Sequence, residues 1–151
     1  MISELDALCC EAAMHGAVDL PEGTKLFMNI RPTSIRDPRF QPEAIMERFQ
    51  RCGLAPSDVV FEISEQESIE NYATFRLLRE SYRSLGFQFA LDDTGAGYAS
   101  LEAVLEIGPD FIKVDRAFVR GIDEDRSRQA MFAAFSEAAR TVRGGLQPFG
   151  L

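Results

Sequence analysis

The chain contains a single histidine, His15, and only three cysteines. No Ser–His–Asp triad or Cys–His pair is therefore indicated, and His15 is expected on the solvated face of the first helix. Cys9 and Cys10 are neighbours on that predicted helix and Cys52 stands alone, so they form no disulfide framework. A sparse, odd set of thiols is typical of a cytoplasmic protein, in which they serve mostly as small apolar residues.

Long hydrophobic runs and an excess of positive charge are also missing. No run approaches the roughly 20 apolar residues that span a bilayer, and the first four residues lack the basic-then-apolar order of a signal peptide. The formal net charge of −8 argues against a DNA or RNA partner. A phosphate-containing substrate would need bound cations to reverse the local field.

The 151 residues, 46% of them hydrophobic, are enough for one domain with a proper core. The pattern predicts a helix followed by four strand–helix repeats. The predicted strands are Lys25–Ile30, Asp58–Ile63, Phe87–Leu91 and Asp110–Val114. Such alternation predicts an α/β fold with parallel strands and right-handed crossovers. Because the strands are apolar at nearly every position, we expect both faces of the sheet to be covered.

Helical periodicity predicts a first helix capped by Ser3 and ending at Gly16, followed by four more. The four are Gln41–Cys52, Glu67–Leu85, Ala99–Glu106 and Asp125–Val142. The first helix is expected to bury Leu5, Leu8, Ala12 and Ala13, and the last to present Met131, Ala134, Phe135, Ala138, Ala139 and Val142. Residues 143–151 are predicted to form an irregular tail.

Polar side chains stand where the predicted strands end. Asn29 follows Leu26–Met28, Glu62 follows Val59–Phe61, and Asp92 and Asp93 follow the third strand and precede a glycine-rich turn. In a parallel βα barrel these ends lie on the face that carries active sites. Carboxylate and amide oxygens are ligands suited to Mg²⁺ or Mn²⁺. The sequence therefore predicts a divalent metal site.

Each of these residues also has a purely structural interpretation. Aspartate is a common turn residue, which is the structural interpretation of Asp92 and Asp93. Two adjacent like charges nevertheless favour a cation nearby. A covalent phosphoaspartate at either residue is a further alternative. Glu62 can pair with a basic residue, and Asn29 can cap a turn. Lys113, in the fourth strand, faces either the barrel interior or a salt bridge at the rim.

Five segments carry a family resemblance in the right order. They are the helix around Glu4-Leu5-Asp6, the Asn-x-x-Pro strand Leu26–Pro32, the Glu-Ile-Ser-Glu strand Phe61–Glu65, the Asp-Asp-Thr-Gly-Ala-Gly-Tyr loop Leu91–Ser100, and Leu105–Asp115 with Asp-Phe-Ile-Lys-Val-Asp. The chain resembles the EAL domain family of cyclic di-GMP phosphodiesterases, which have a (β/α)₈-type barrel.

The resemblance implies metal-assisted hydrolysis of cyclic di-GMP to linear pGpG with Mg²⁺ or Mn²⁺. It implies that Asn29, Glu62 and Asp92 coordinate the first ion, and that Asp93 binds the second ion or steers the attacking water. Lys113 would hold that water or a phosphate oxygen. Glu65 would brace the glycine-rich loop.

The matches correspond to the second to fifth strands of the family's barrel. The family's Glu-Ala-Leu strand and its last three strands have no counterpart, so we expect an incomplete TIM-type (β/α) barrel of about four parallel strands over residues 1–142. Four strands cannot close a barrel, which predicts either homo-oligomerisation or completion by another EAL- or GGDEF-containing segment. The chain is then a piece of a phosphodiesterase domain or, alternatively, an inactive EAL-like module that binds cyclic di-GMP or another protein.

Overall fold

A computed structural model of the chain describes residues 2–34, 37–64, 72–94, 104 and 106–143. The helices are α1 (Ile2–Gly16), α2 (Pro42–Arg51), α3 (Tyr72–Ser84), α4 (Arg116–Val119) and α5 (Arg126–Arg143). The strands are β1 (Leu26–Asn29), β2 (Val59–Ser64), β3 (Gln88–Thr94) and β4 (Phe111–Val114). Short 3₁₀ helices occupy Pro38–Phe40 and Pro56–Asp58.

The four strands form one sheet in the order β1-β2-β3-β4. They are parallel and surrounded by helices, as in part of a TIM-type barrel, which confirms the predicted fold class. Contacts divide the chain into two compact units, which are described separately below. The first unit comprises residues 1–63 and 67–88, and the second comprises residues 64–66 and 89–151.

Aromatic packing forms the core of the first unit. Phe49 on α2, Phe61 on β2, Tyr82 on α3 and Phe87 before β3 are all nearly inaccessible to solvent. Their ring centroids lie 5.3–5.7 Å apart between Phe61 and Tyr82, between Tyr82 and Phe87, and between Phe49 and Phe87. The Tyr82 hydroxyl also donates a hydrogen bond to the carbonyl oxygen of Phe40, so this buried polar group is satisfied.

The helices α2 and α3 follow the sequence pattern. Helix α2 buries Ile45 and Phe49, and α3 buries Phe75 and Tyr82. A glycine follows each helix with positive φ, +73° at Gly53 and +101° at Gly86, and only glycine adopts this conformation without strain. The part of the third predicted helix before Tyr72, including Ile69, lies outside the described residues.

The buried face predicted for α1 is wrong. Leu5 and Leu8 are 61% and 59% exposed, and the side chains that are buried belong to the next stripe around the helix. That stripe contains Ala7, Cys10 and Met14. Both stripes are apolar at helical spacing, so periodicity alone could not choose between them. Ser3 lies inside the helix, which begins at Ile2, rather than capping it.

Two helices of the second unit have aspartate N-caps, whose side chains accept hydrogen bonds from amides of the first turn. Asp115 accepts a hydrogen bond from the Ala117 amide at 2.5 Å and begins α4, a short helix that the sequence pattern did not predict. Asp125 accepts from the amides of Ser127 and Arg128 at 2.9 and 3.1 Å and begins α5, as predicted.

Only part of the face expected for α5 is buried. Phe135 is 6% exposed, whereas Met131 is 50% exposed and Ala134 is also exposed. The helix continues to Arg143, one residue beyond the predicted end. The predicted tail after it, and most of the helix predicted over Ala99–Glu106, lie outside the described residues, so the domain boundaries remain predictions.

Candidate functional site

In the first unit, two of the predicted metal ligands are adjacent across the sheet. Asn29, the last residue of β1, is the register partner of Glu62 on β2. The Ile30 amide extends this pairing by donating to the Glu62 carbonyl oxygen at 2.9 Å. Because the strands are parallel, Asn29 and Glu62 lie at the same level toward their carboxyl ends. The predicted association of these two residues is therefore present.

The Glu62 carboxylate is unusually well buried for an acidic group. Its residue is 5% exposed, and its strand neighbours Phe61 and Ile63 are fully buried. A buried carboxylate is tolerated only where cations or hydrogen-bond donors compensate its charge. This arrangement fits the predicted role of Glu62 at a cation site. Asn29 is exposed, so its amide oxygen is accessible to a ligand.

Asp6 holds the loop that follows Asn29, a role that the sequence did not reveal. The Ser34 hydroxyl donates to Asp6 Oδ2, and Arg31 Nε lies 4.0 Å from Asp6 Oδ1. Ser34 is buried and its amide donates to the Arg31 carbonyl oxygen at 3.0 Å. The α1 helix thereby fixes the path of the chain immediately after β1.

In the second unit, Lys113 and Asp92 form an ion pair. Lys113 Nζ lies 3.1 Å from Asp92 Oδ1, and the two side chains are 34% and 23% exposed. Both residues belong to strands, because β3 extends to Thr94 rather than ending at Leu91 as predicted. This ion pair is compatible with both interpretations of Lys113, the role of which remains a prediction.

The pairing of β3 with β4 is irregular at the acidic pair. Leu91 is the register partner of Ile112, and the next partners are Thr94 and Val114. The strand β3 thus advances three residues while β4 advances two, so one extra residue bulges from β3 at Asp92 and Asp93. Bulges of this kind are over-represented beside active sites, where they redirect side chains. No pattern in the sequence predicted the bulge.

Several predicted site features lie outside the described part of the chain. These are Glu65, the glycine-rich residues 95–100 and the side chain of Asp93. Asp115, which ends the last of the family motifs, caps α4.

The donor set is chemically suited to a divalent cation. An amide oxygen at Asn29 and carboxylates at Glu62 and Asp92 are the hard ligands that Mg²⁺ and Mn²⁺ prefer. Among the described residues, no three His, Cys, Asp or Glu side chains cluster closely enough to hold a metal ion. The assembly of the predicted ligands around one ion therefore remains a prediction.

Cys10, which is buried, is poorly suited to act as a reactive thiolate. Burial, followed by the negative charge of Asp6, raises the pKa of the Cys10 thiol to about 12. The reactive thiolate is then scarce at neutral pH. Cys9 is exposed, and Cys52 is half-buried. His15 is exposed, as expected.

Comparison with known proteins identifies the family. The architecture is that of parallel α/β barrel enzymes, in which polar groups at strand ends form the site. A family model for the EAL domain matches residues 1–143. The chain therefore belongs to the EAL domain family, and the resemblance noted from its motifs is confirmed.

Individual relatives support this assignment. The chain is 27% identical over 113 residues to the cyclic di-GMP phosphodiesterase PdeF of Escherichia coli, covering 75% of the chain and 15% of PdeF. It is 23% identical over 153 residues to the blue light- and temperature-regulated antirepressor BluF of Escherichia coli, covering 99% of the chain and 37% of BluF. The chain thus spans well under half the length of these relatives.

A solved structure gives the same result. The manganese and cyclic di-GMP complex of Klebsiella pneumoniae BlrP1 superposes with a TM-score of 0.83 at 30% identity, covering 95% of the chain and 37% of BlrP1. A calcium and cyclic di-GMP complex of BlrP1 superposes equally well. Among the described residues, no helix is long and apolar enough to cross a membrane.

Proposed function

We propose that the chain forms part of an EAL-type phosphodiesterase domain that hydrolyses cyclic di-GMP to linear pGpG with Mg²⁺ or Mn²⁺. The match of the EAL family model to residues 1–143 is the observation that carries this proposal. PdeF is named a cyclic di-GMP phosphodiesterase, and BlrP1 was solved with cyclic di-GMP and either manganese or calcium. A cytoplasmic location remains a prediction from the cysteine content.

The proposed metal ligands are Asn29, Glu62, Asp92 and Asp93. The register of Asn29 with Glu62, the burial of Glu62 and the position of Asp92 in β3 support this set. Bound divalent cations would stabilise the charge that develops on the phosphodiester and supply a nucleophile at neutral pH. Such cations would also explain how a chain with a net charge of −8 accepts an anionic substrate.

The proposed catalytic residues are Lys113, Asp93 and Glu65. The Lys113 ammonium group, which lies 3.1 Å from Asp92 Oδ1, would orient the attacking water or neutralise a phosphate oxygen. Asp93 would steer that water, and Glu65 would brace the glycine-rich loop. The last two roles rest on the family motif alone.

Turnover of cyclic di-GMP tests this proposal directly. We expect an intact EAL domain that contains this chain to produce pGpG with Mn²⁺ or Mg²⁺, to lose activity on chelation and to regain it when Mn²⁺ is restored. Asp92→Asn should abolish production because it removes a charged ligand. Asp125→Asn, the same chemical change at a helix cap, is the matched control and should retain activity. Absence of both binding and turnover would contradict the proposal.

A second function is favoured by one relative. BluF is named an antirepressor, and the chain matches 99% of its own length to it. An EAL-like module that binds cyclic di-GMP or another protein without turnover is therefore the alternative. Binding of cyclic di-GMP without pGpG production, in the presence of Mn²⁺, would favour this alternative over hydrolysis.

Association with a second chain also remains a prediction. Large apolar side chains are exposed on three helices, namely Leu5, Leu8, Leu77, Met131 and Phe132. Covering such side chains would favour a homo-oligomer or completion by another EAL- or GGDEF-containing segment. A strictly monomeric species in light scattering, at high concentration and without aggregation, would count against self-association.

A further inference from the structure

Asp110 makes two hydrogen bonds to the same residue of the neighbouring strand. Its Oδ2 accepts from the Phe89 amide at 2.9 Å, and its own amide donates to the Phe89 carbonyl oxygen at 2.8 Å. Asp110 lies immediately before β4, and Phe89 is the second residue of β3. The Asp110 side chain thus binds the Phe89 amide, and the Asp110 backbone amide binds the Phe89 carbonyl oxygen, at the point where the two strands begin to pair.

Two regular pairs separate this attachment from the bulge. Ala90 pairs with Phe111 and Leu91 with Ile112, after which the register shifts at Asp92 and Asp93. Lys113 is the β4 residue opposite the bulge, and its ammonium group reaches Asp92 at 3.1 Å. A slip of one residue in the pairing would place the Lys113 and Asp92 side chains on opposite faces of the sheet. Register is therefore critical here, and a bulge weakens the backbone ladder that normally maintains it.

We propose that Asp110 is a positioning residue, which fixes the register of β3 against β4 and thereby holds Lys113 opposite the Asp92 carboxylate. Asp110 does not belong to the proposed ligand set. Asp110 acts through the backbone, on the amino-terminal side of the bulge. Between Asp110 and the bulge, only two regular residue pairs join β3 to β4. The functional part of this inference rests on the proposed metal-dependent hydrolysis.

The test compares three variants of the chain. Asp110→Ala removes the acceptor of the Phe89 amide, whereas Asp110→Asn retains an oxygen that can accept from it. Asp125→Ala is the matched control, because it removes an aspartate that accepts two backbone amides elsewhere in the same unit. Thermal unfolding of all three identifies variants that fail to fold. If Asp110→Ala does so, Asp110→Ser, whose shorter side chain withdraws the acceptor from the Phe89 amide, replaces it with the same expected changes.

Three measurements are expected to change together in Asp110→Ala. Hydrogen exchange of the Phe89 amide should become about tenfold faster. In the native chain we expect Asp92→Asn to shift the NMR signal of the Lys113 side chain. In Asp110→Ala the same substitution should no longer shift that signal. Mn²⁺ affinity, measured by calorimetry, should fall about tenfold, as when a residue that orients a metal ligand is lost. Asp110→Asn should stay within about twofold of the native chain, and Asp125→Ala should match it.

The outcomes separate this inference from the proposed function. If the native chain binds no Mn²⁺, the proposed metal site is wrong, and the Phe89 exchange and Lys113 signal alone decide the role of Asp110. Unchanged exchange, or an unchanged response of Lys113 to Asp92→Asn in Asp110→Ala, would overturn the inference. An equal loss of Mn²⁺ affinity in Asp125→Ala would also overturn it, because the loss would then reflect general destabilisation.

Discussion

The first and second units are each stabilised internally, and the predominant kind of interaction differs between them. In the first, four aromatic rings pack within a core from which solvent is excluded. In the second, Asp110 accepts a hydrogen bond from the Phe89 amide near the start of β3. Asp115 and Asp125 accept hydrogen bonds from backbone amides in the first turns of α4 and α5. Arg128 adds hydrogen bonds to the carbonyl oxygens of Ala117 and Arg120 at 3.3 and 2.5 Å.

This difference suits different tasks. Hydrophobic burial is strong but non-directional, so aromatic packing stabilises the first unit without fixing individual polar atoms. Hydrogen bonds are individually modest but directional, so the aspartates of the second unit fix strand register and helix starts. The ion pair of Asp92 with Lys113 lies in the second unit, where small displacements matter most. Directional hydrogen bonds also occur in the first unit, where Asp6 holds Ser34, so the contrast lies in which interaction predominates.

Removing a ring from the aromatic core should have the largest effect. Phe61→Ala replaces a fully buried side chain that contacts Phe49, Tyr82 and Phe87, and should lower the free energy of unfolding by about 3–5 kcal/mol. Urea unfolding followed by circular dichroism measures this loss. Phe132→Ala, at a position 37% exposed in the second unit, is the control and should cost less than about 1 kcal/mol. Equal losses would show that burial of the Phe61 ring contributes nothing beyond that of a partly exposed ring.

Alkaline pH should destabilise the first unit through Cys10. Below the unfolded-state pKa of 9.0 the Cys10 thiol is protonated in both the folded and the unfolded state, so its full contribution to the free energy of unfolding is present. Between pH 9 and about 12 the unfolded chain releases this proton while the folded chain retains it. The free energy of unfolding should therefore fall by up to about 1.4 kcal/mol per pH unit.

The comparison of two adjacent cysteines isolates this effect. Cys10→Ala should flatten the dependence of unfolding free energy on pH above 9, whereas Cys9→Ala, which changes the exposed neighbour, should retain most of it because burial is the largest cause of the raised Cys10 pKa. Burial also raises the pKa of the Tyr82 phenol, so a residual slope is expected in Cys10→Ala. Identical profiles for both variants would show that Cys10 contributes nothing to alkaline destabilisation.

Loss of a helix cap in the second unit should have the smallest effect. Asp125→Ala removes the acceptor for the Ser127 and Arg128 amides and should cost about 1 kcal/mol of unfolding free energy. Asp123→Ala, two residues earlier and exposed, is the control and should stay within about 0.5 kcal/mol of the native chain. A loss in Asp125→Ala as large as that in Phe61→Ala would remove the contrast between the units.

Local patterns predicted most of the secondary structure. The alternation of helices and apolar strands gave all four strands to within a few residues, and glycines 53 and 86 marked two helix ends. The fourth helix, Arg116–Val119, was missed because four residues are too few for a periodic pattern. The buried face of α1 was wrong because two apolar stripes compete, and only packing partners decide between them.

The candidate site was predicted in its residues but only partly in its geometry. The motifs identified Asn29, Glu62, Asp92 and Lys113, and the structure pairs Asn29 with Glu62 and Asp92 with Lys113. The bulge at Asp92, the support of Ser34 by Asp6 and the attachment of Phe89 by Asp110 were not predicted. Each depends on residues at least 21 positions apart or on how two strands align, which periodicity within one segment does not encode.

The amino-acid sequence alone determined the α/β class, the family and the acidic and amide residues at the strand ends, because these follow from local periodicity and contiguous motifs. The tertiary structure alone decided which stripe of α1 is buried, where β3 departs from regular pairing and which acid Lys113 contacts. Those features arise when distant segments pack, and the packing energy of the neighbours selects among alternatives that are equivalent within each segment.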